Sequence, residues 1–445
     1  MVGEQKLKQI AKDVLALSKG DETEVILMVS ENALTRFANS QIHQNMEWED
    51  LGISVRVILG KRIGVASGNN FAKKALEDIV ERATELAKLQ KEDLHFQGLP
   101  KPQKIPRLKE RVYRSSEKLR AEVVNAVIQQ AKKKNIIASG AFSCPITEIA
   151  VANSHGIFAY HSSSAADLST IMLGVTSTGF ASDVGPDPKK INPEKVADTA
   201  LNKVIKGENP IDVAPGDWDV ILEPQAVSEL MAFFSWLGPN ARIYYEQASC
   251  LSGKLGKKVF GENVSIIDDP LNQDSMPLPF DFEGVPKKRL EIIKNGVLKN
   301  LVYDSYYANR YKQKNTGHAL PAPNTAGPIP IHLTMTPGKK SIKDIIARTK
   351  KGLLVSRLWY VRVLNTKQLS LTGMTRDGTF LIENGKLLAG VKNLRFNQSI
   401  PETFNNVLEV SRQIEPVASF EAELGISRMP YLKIKNWHFS SGTLF

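Results

Sequence analysis

Leu7, Ile10, Ala11, Val14 and Leu15 recur at the spacing of one helix face, and Leu76, Ile79, Val80, Ala83, Leu86 and Ala87 repeat it more clearly. A helix turns every 3.6 residues, so each set predicts an amphipathic helix lying on a core. Between the two sets the period shortens to two. Thr23 to Val29 is β-branched and apolar enough for a central strand. Glu49 to Ser67 predicts two short strands, with Ile53, Val55, Val57 and Leu59 on one face and Ser54 and Arg56 on the other. Gly60-Lys61 supplies the turn before Arg62 to Ala66.

Gly98 to Arg107 holds three prolines and predicts an irregular surface run. A helix is expected over about Glu117 to Lys134, then strands near Ile136 to Ser143, Ile146 to Asn153 and Ile157 to Ser163, with Ser154-His155-Gly156 as a turn. Alternation runs on through Leu168 to Ser177. Pro186 to Pro193 breaks it, and a helix with proline in its first turn follows to about Ile205. The polar stretch Gly207 to Asp217 reads as a domain boundary before a fresh strand, Trp218 to Leu222. Beyond it strand and turn signals dominate. Asn295-Gly296 and Asn384-Gly385 each sit between apolar runs, a strong hairpin signal. Helices are expected only over segments such as Gln225 to Trp236 and Ser341 to Lys350. The expectation is an α+β chain of two domains. Residues 1–206 form an N-terminal α/β domain with an antiparallel sheet and helices, 207–216 a linker, and 217–445 a mostly-β domain with a few helices.

Composition narrows the function classes. The 445 residues are 42% hydrophobic and 24% charged, which excludes disordered and collagen-like chains. The charged start has no apolar signal segment, no run reaches the ~18 apolar residues of a membrane helix, and only Cys144 and Cys250 occur. A cytoplasmic protein without a membrane partner is expected. The formal charge of +11 raises the question of nucleic acid. Its basic runs are short and scattered, and no nucleic-acid motif accompanies them, so nucleic acid is not the expected partner.

Few residues are spaced for chemistry. The seven histidines form no helical pair; His155 and His161 flank a turn and could face each other across a hairpin, without a third or fourth ligand in view. Cys250 lies among small residues and reads as a buried apolar side chain rather than an activated thiol, since no base is near it in sequence. No GxSxG elbow or phosphate-binding loop is present. Asp281 and Glu283, two apart in PFDFEGVP, could share a face and work as acid and base. The plainer reading is a turn in which carboxylates accept backbone N–H groups ahead of Gly284.

The stretch from Asp217 to Gly317 carries a distinctive series: DWDVILEPQAVSELM, SCLSGKLGKKVFGENVSIIDDP, PFDFEGVPKKRLEIIKNGVLKNLVYDSYYA and NTG. It resembles the C-terminal domain of the TldD/PmbA family, the paired subunits of a cytoplasmic zinc peptidase once labelled modulators of DNA gyrase. FANSQ at Phe37 to Gln41, GISVRV at Gly52 to Val57, the Gly60 to Gly64 hairpin and the strand-turn from Val151 to Gly156 resemble its first domain. GTFLIENG at Gly378 to Gly385, Val391-Lys392 and Ser441 to Thr443 resemble its closing segments.

Catalytic subunits of that family carry H-E-x-x-x-H on the helix after the first strand of the C-terminal domain, with a late cysteine as a further zinc ligand. Here Ala232, Phe233 and Leu237 stand at those three positions and no cysteine follows Cys250. The resemblance therefore implies a PmbA/TldE-type subunit with no catalytic residue or zinc of its own, the zinc lying in a TldD-type partner. It also implies pairing with that homologous subunit, or with itself, and unfolded peptides as the substrates degraded or matured. Ser249, Asp281, Glu283, Tyr303 and the Asn315-Thr316-Gly317 turn are its candidates for lining a shared cavity. Two other readings stay open: a basic, nucleic-acid-associated, gyrase-modulating protein, and a peptidase with a re-sited centre at Asp281/Glu283 or His155/His161.

Overall fold

A computed structural model describes residues 1–419 and 426–443. The first sheet is framed by α1 (Glu4–Leu17), β1 (Glu22–Ala38), β2 (Gln41–Leu59), β3 (Arg62–Gly68), α2 (Lys73–Leu89) and α3 (Glu117–Lys132). It is completed by β4 (Ile137–Ser143), β5 (Ile146–Asn153), β6 (Phe158–Ser164), β7 (Ala166–Leu173), β8 (Thr178–Gly185) and α4 (Pro193–Gly207). The strand order is β3-β2-β1-β4-β7-β8, with β5 also pairing β1 and carrying β6 on its far side. All of these pairings are antiparallel.

The predicted helix faces are the ones buried. Leu7, Ile10, Ala11 and Val14 of α1 and Leu76, Ile79, Val80 and Ala83 of α2 pack on Val25, Leu27, Val29, Ile53, Val55 and Val57. Helix α2 lies close on β3: a Cβ at Gly64 would come 2.1 Å from the Ala83 carbonyl oxygen. Helices α3 and α4 cover the other half, around Phe37, Phe142, Leu168 and Met172.

Two strand predictions need correction. The run Leu168 to Ser177 is not one strand: β7 ends at Leu173 and β8 returns from Thr178. The reversal is held by Glu208, whose carboxylate accepts the N–H groups of Val175 and Thr176 and the hydroxyls of Thr176 and Ser177. The central hairpin is also much longer than its apolar core. β1 and β2 stay paired out to Ala38 and Gln41, where β2 is exposed and carries no apolar alternation to read.

The second sheet begins with β9 (Gly216–Leu222), α5 (Pro224–Leu237), α6 (Ala241–Tyr245), β10 (Ile266–Asp268), β11 (Leu290–Lys294), β12 (Val297–Leu298), α7 (Ser305–Arg310) and β13 (Leu333–Met335). It continues through α8 (Ile342–Ala347), β14 (Lys351–Asn365), β15 (Ser370–Glu383), β16 (Lys386–Gly390), β17 (Leu394–Ser399), α9 (Ile400–Asn405), β18 (Val407–Ala418) and β19 (Ile426–Gly442). The order β12-β11-β10-β13-β19-β17-β15-β14-β9 turns back on itself, because β9 also pairs β19. Strands β9, β14, β15, β17 and β19 thereby close a ring. Both Asn-Gly pairs are hairpin turns, with φ of 47° and 77° at Asn295 and Gly296 and of 48° and 77° at Asn384 and Gly385. Helix α5 is absorbed by this chain's own core through Leu230, Met231, Phe234 and Leu237, and only Trp236 on it is exposed.

Candidate functional site

The turn at Asp281 to Gly284 is one of the places where the two halves of the chain meet. Asp281 Oδ1 accepts the backbone N–H groups of Glu283 and Val285 at 3.0 and 2.9 Å, and Oδ2 accepts that of Ala319 at 2.9 Å. The aspartate thus folds the turn and ties it to the following segment. Burial, and then the neighbouring Glu283 charge, raise its pKa against those N–H bonds. Gly284, at φ 74°, allows a close approach, since a Cβ there would lie 2.5 Å from Ile157 in the β5–β6 connection. Leu278 and Phe280 pack beside it on Ile26, Val151 and Ala159.

Glu283 points the other way, across the domain contact. Arg56 of β2 donates to Glu24 of β1 at 2.7 Å and reaches Glu283 at 3.5 Å, while the second Glu283 oxygen accepts the N–H of Ser305 at 3.0 Å. Asp304 caps α7 by accepting the Tyr307 N–H at 2.8 Å. Glu24 and Asp304 are 2% and 6% exposed. Burial pushes both carboxyls up to about 7, with the Glu283 charge adding to each and Arg56 opposing. Arg56, Glu283 and Asp304 line an inter-domain cleft of about 710 Å³, whose walls include Phe96, Tyr306 and Tyr307.

Behind the turn lies a second buried polar group. Thr316 Oγ1 meets His318 Nδ1 at 2.9 Å, and His318 Nε2 meets Asp268 at 3.2 Å. Asp268 also accepts the His332 N–H. Burial raises the Asp268 carboxyl, but Lys287 and then His318 outweigh it and hold the group below the usual carboxylate range. Burial and the Lys287 charge push His332 down to about 3, so the ring is neutral. Thr316 Oγ1 is already engaged with both the N–H and the carbonyl of Tyr303. This group therefore braces the Tyr303 to His318 segment.

The sequence candidates fall in three places. Of the seven, Glu283 lines the cleft. Asp281, Tyr303, Asn315, Thr316 and Gly317 form the bonded frame behind it, with Asn315 donating to Ser305 at 2.9 Å and the Tyr303 hydroxyl meeting that of Tyr245 at 3.3 Å. Ser249 lies apart, buried, donating to the Gly238 carbonyl and accepting from Leu251 N–H. His155 and His161 do not face one another: His155 stands 3.6 Å from Glu22, whereas His161 is buried opposite Ile149. Cys250 is buried and its thiol is pushed up to about 11, the opposite of activation. Sequence reasoning passed over Glu24, Arg56 and Asp304 as site residues. A lone carboxylate inside the apolar run TEVILMV was the available signal.

Zinc needs nitrogen, oxygen or sulfur donors. Ala232, Phe233 and Leu237 supply none, and Ala232 and Leu237 are buried on α5. These positions do not fit the metal. Among the described residues, no group of three or more His, Cys, Asp or Glu side chains is placed to hold a metal ion. No helix among them is long and apolar enough to cross a membrane.

Residues 215–441 match the PmbA/TldA metallopeptidase C-terminal domain, and residues 23–87 match PmbA/TldA metallopeptidase domain 1. The Haemophilus influenzae protein named metalloprotease PmbA homolog is 25% identical over 438 residues, covering 93% of this chain and 92% of its own length. Metalloprotease PmbA of Escherichia coli O157:H7 is 23% identical over 441 residues, covering 94% and 93%. The crystal structure of TldE from Thermococcus kodakarensis shares the fold, with a TM-score of 0.88 at 23% identity over 98% of this chain and all of that one. With the C-terminal match alone spanning half of its length, this chain belongs to the TldD/PmbA family of metallopeptidase-related proteins.

Proposed function

We propose that this chain is a PmbA/TldE-type subunit of a cytoplasmic metallopeptidase, acting on unfolded peptides beside a TldD-type partner that carries the zinc. The observation that carries this reading is the replacement of the family's H-E-x-x-x-H donors by Ala232, Phe233 and Leu237 on a helix built into the core. Without a metal-bound water and a glutamate to take its proton, α5 has no route to peptide hydrolysis. The near full-length likeness to proteins named PmbA supports the same subunit type.

What the chain would contribute is a surface, and the bonded turn at Asp281 to Gly284 supports one at the cleft between the two sheets. The test is zinc per chain by metal mass spectrometry on untagged protein, followed by hydrolysis of a denatured protein with and without a TldD-type subunit. The expected result is a zinc ratio near zero and hydrolysis only in the mixture. A ratio near one, or chelator-resistant hydrolysis by the isolated chain, overturns the assignment.

A further inference from the structure

Strand β3 is an edge of the first sheet: it pairs β2 on one side, and no strand among the described residues pairs its other side. The hairpin fixes which of its backbone groups are left over. Leu59 and Arg62 flank the two-residue turn at Gly60-Lys61 and stand directly opposite each other, with Gly60 at φ 63°. In such a hairpin that pair exchanges both of its hydrogen bonds, and so does every second pair along the ladder. Gly64 and Ala66 therefore bond to Val57 and Val55, while the N–H and C=O groups of Ile63 and Val65 point away from the sheet. The partner strand agrees, since the carbonyl of Ile58, opposite Ile63, turns to the other side and accepts the Asp21 N–H at 2.9 Å. Both ends of the edge are engaged: Asp93 N–H donates to the Lys61 carbonyl, and Arg82 reaches that of Ser67 at 3.4 Å. Between them, the outward groups of Ile63 and Val65 make no hydrogen bond among the described residues.

That stretch of edge lies in the inter-domain cleft, which Ile63, Gly64 and Val65 line. From Gly68 a second groove of about 800 Å³ carries on beside α2, and Leu86 borders both. Leu86 belongs to the apolar repeat that predicts the buried face of α2, yet it is 41% exposed, and Leu89, one turn on, is 81% exposed. An unpaired edge flanked by uncovered leucines is a template for one more strand. The cleft carries both signs of charge, with Arg56 and Arg242 beside Glu283 and Asp304, so charge gives it no preference for acidic or basic side chains. Its facing wall is this same chain, from α7 and residues 319–325. A cleft of about 710 Å³ holds a few residues of one extended chain and excludes the edge of a second folded sheet with its flanking helices.

We infer that the edge of β3 takes up an extended peptide as an added strand, held through its backbone by Ile63 and Val65, with apolar side chains resting on Leu86. Main-chain hydrogen bonds supply the affinity in such an arrangement, and side chains contribute at alternate positions. The inference rests on the reading of this chain as a peptide-handling subunit. It gives that subunit a way to hold unfolded chain of varied sequence, because a folded segment has its own backbone groups already paired. Alternate residues of the peptide bond to the edge. Proline, which has no N–H, fits only at the intervening ones.

The experiment is fluorescence anisotropy on the full chain alone, with a fluorescein-labelled octapeptide amide of alternating valine and threonine and a lysine at each end. A second peptide of the same sequence is N-methylated at its four central residues, which removes donors from both of its edges. Val65→Pro deletes one outward donor of β3 and no bond to β2, a change that edge strands tolerate. The expected result is saturable binding of the first peptide, at least tenfold weaker for the N-methylated peptide and at least tenfold weaker in Val65→Pro. Amide hydrogen exchange read by mass spectrometry should slow over residues 62–68 when the first peptide binds. Where Val65→Pro does not fold, the two peptides on the wild type decide. No binding of the first peptide, equal binding of the N-methylated one, or unchanged affinity in a folded Val65→Pro overturns the inference. So does a wild-type dimer that Val65→Pro converts to a monomer, since a second copy would then be the occupant. Neither zinc nor hydrolysis enters this assay, so its failure is distinct from failure of the subunit assignment.

Discussion

Asp281 separates a structural role from a chemical one, because its carboxylate is fully engaged by the backbone. Replacing it with alanine leaves the N–H groups of Glu283, Val285 and Ala319 without their acceptor in a place where Asp281 itself is 2% exposed. Each orphaned buried donor costs about 1–3 kcal/mol. Three of them set a floor of about 3 kcal/mol, a large part of the roughly 5–15 kcal/mol that holds a folded chain together. Asparagine behaves differently. Its Oδ1 can keep the bonds from Glu283 and Val285, while its Nδ2 faces the Ala319 N–H, so about one orphan's worth is lost, ~1–3 kcal/mol. The loss of charge adds little, because burial and Glu283 already oppose ionisation of Asp281. Urea unfolding followed by far-ultraviolet circular dichroism and by tryptophan fluorescence measures both variants. The expected order of stability is wild type, then Asp281→Asn, then Asp281→Ala. Asp281→Ala within about 1 kcal/mol of wild type, or less damaging than the asparagine, refutes the reasoning. An acid–base role would instead spare stability and abolish activity.

Two further outcomes follow from packing and titration. Gly64→Ala pushes a methyl group against the Ala83 oxygen at 2.1 Å and the Ala87 nitrogen at 2.3 Å, both backbone atoms of α2. The helix must lift, at a cost near the top of the ~1–3 kcal/mol range for overpacking, whereas Gly185→Ala meets nothing within 4 Å and serves as the neutral control in thermal unfolding. Glu24 has its ordinary value of 4.5 when unfolded and about 7 when folded, so across that window the folded chain holds the extra proton and stability falls as pH rises. Glu24→Gln deletes this titration and flattens the fall between pH 5 and pH 7 by up to ~1.4 kcal/mol per pH unit; parallel wild-type and variant curves would rule that account out.

The sequence was most legible where one face of an element meets one core. The apolar sets of α1 and α2 were visible at helical period and are the residues buried on Val25, Val55 and Val57. Both Asn-Gly hairpins were visible because their positive φ angles restrict residue choice. The outer half of β2 was not visible, since a strand exposed on both faces carries pairing but no alternation. Helix α5 was readable as buried from its apolar circumference, and its burial in this chain's own core fits the ring closed by β9 and β19.

The cleft was hidden for a different reason. Arg56 read as a residue of a polar, outward strand face, which would be correct for the first sheet alone. In the folded chain that face is the one the second half covers, with Ser54 donating to the Ala322 carbonyl and Arg56 reaching Glu283, 227 positions away. A charged face covered in this way must find charge partners, because an unpaired ion there would cost several kcal/mol. The motif D-x-E-G can be understood in the same terms. Asp281 builds the turn, Glu283 answers Arg56, and Gly284 lets Ile157 close in.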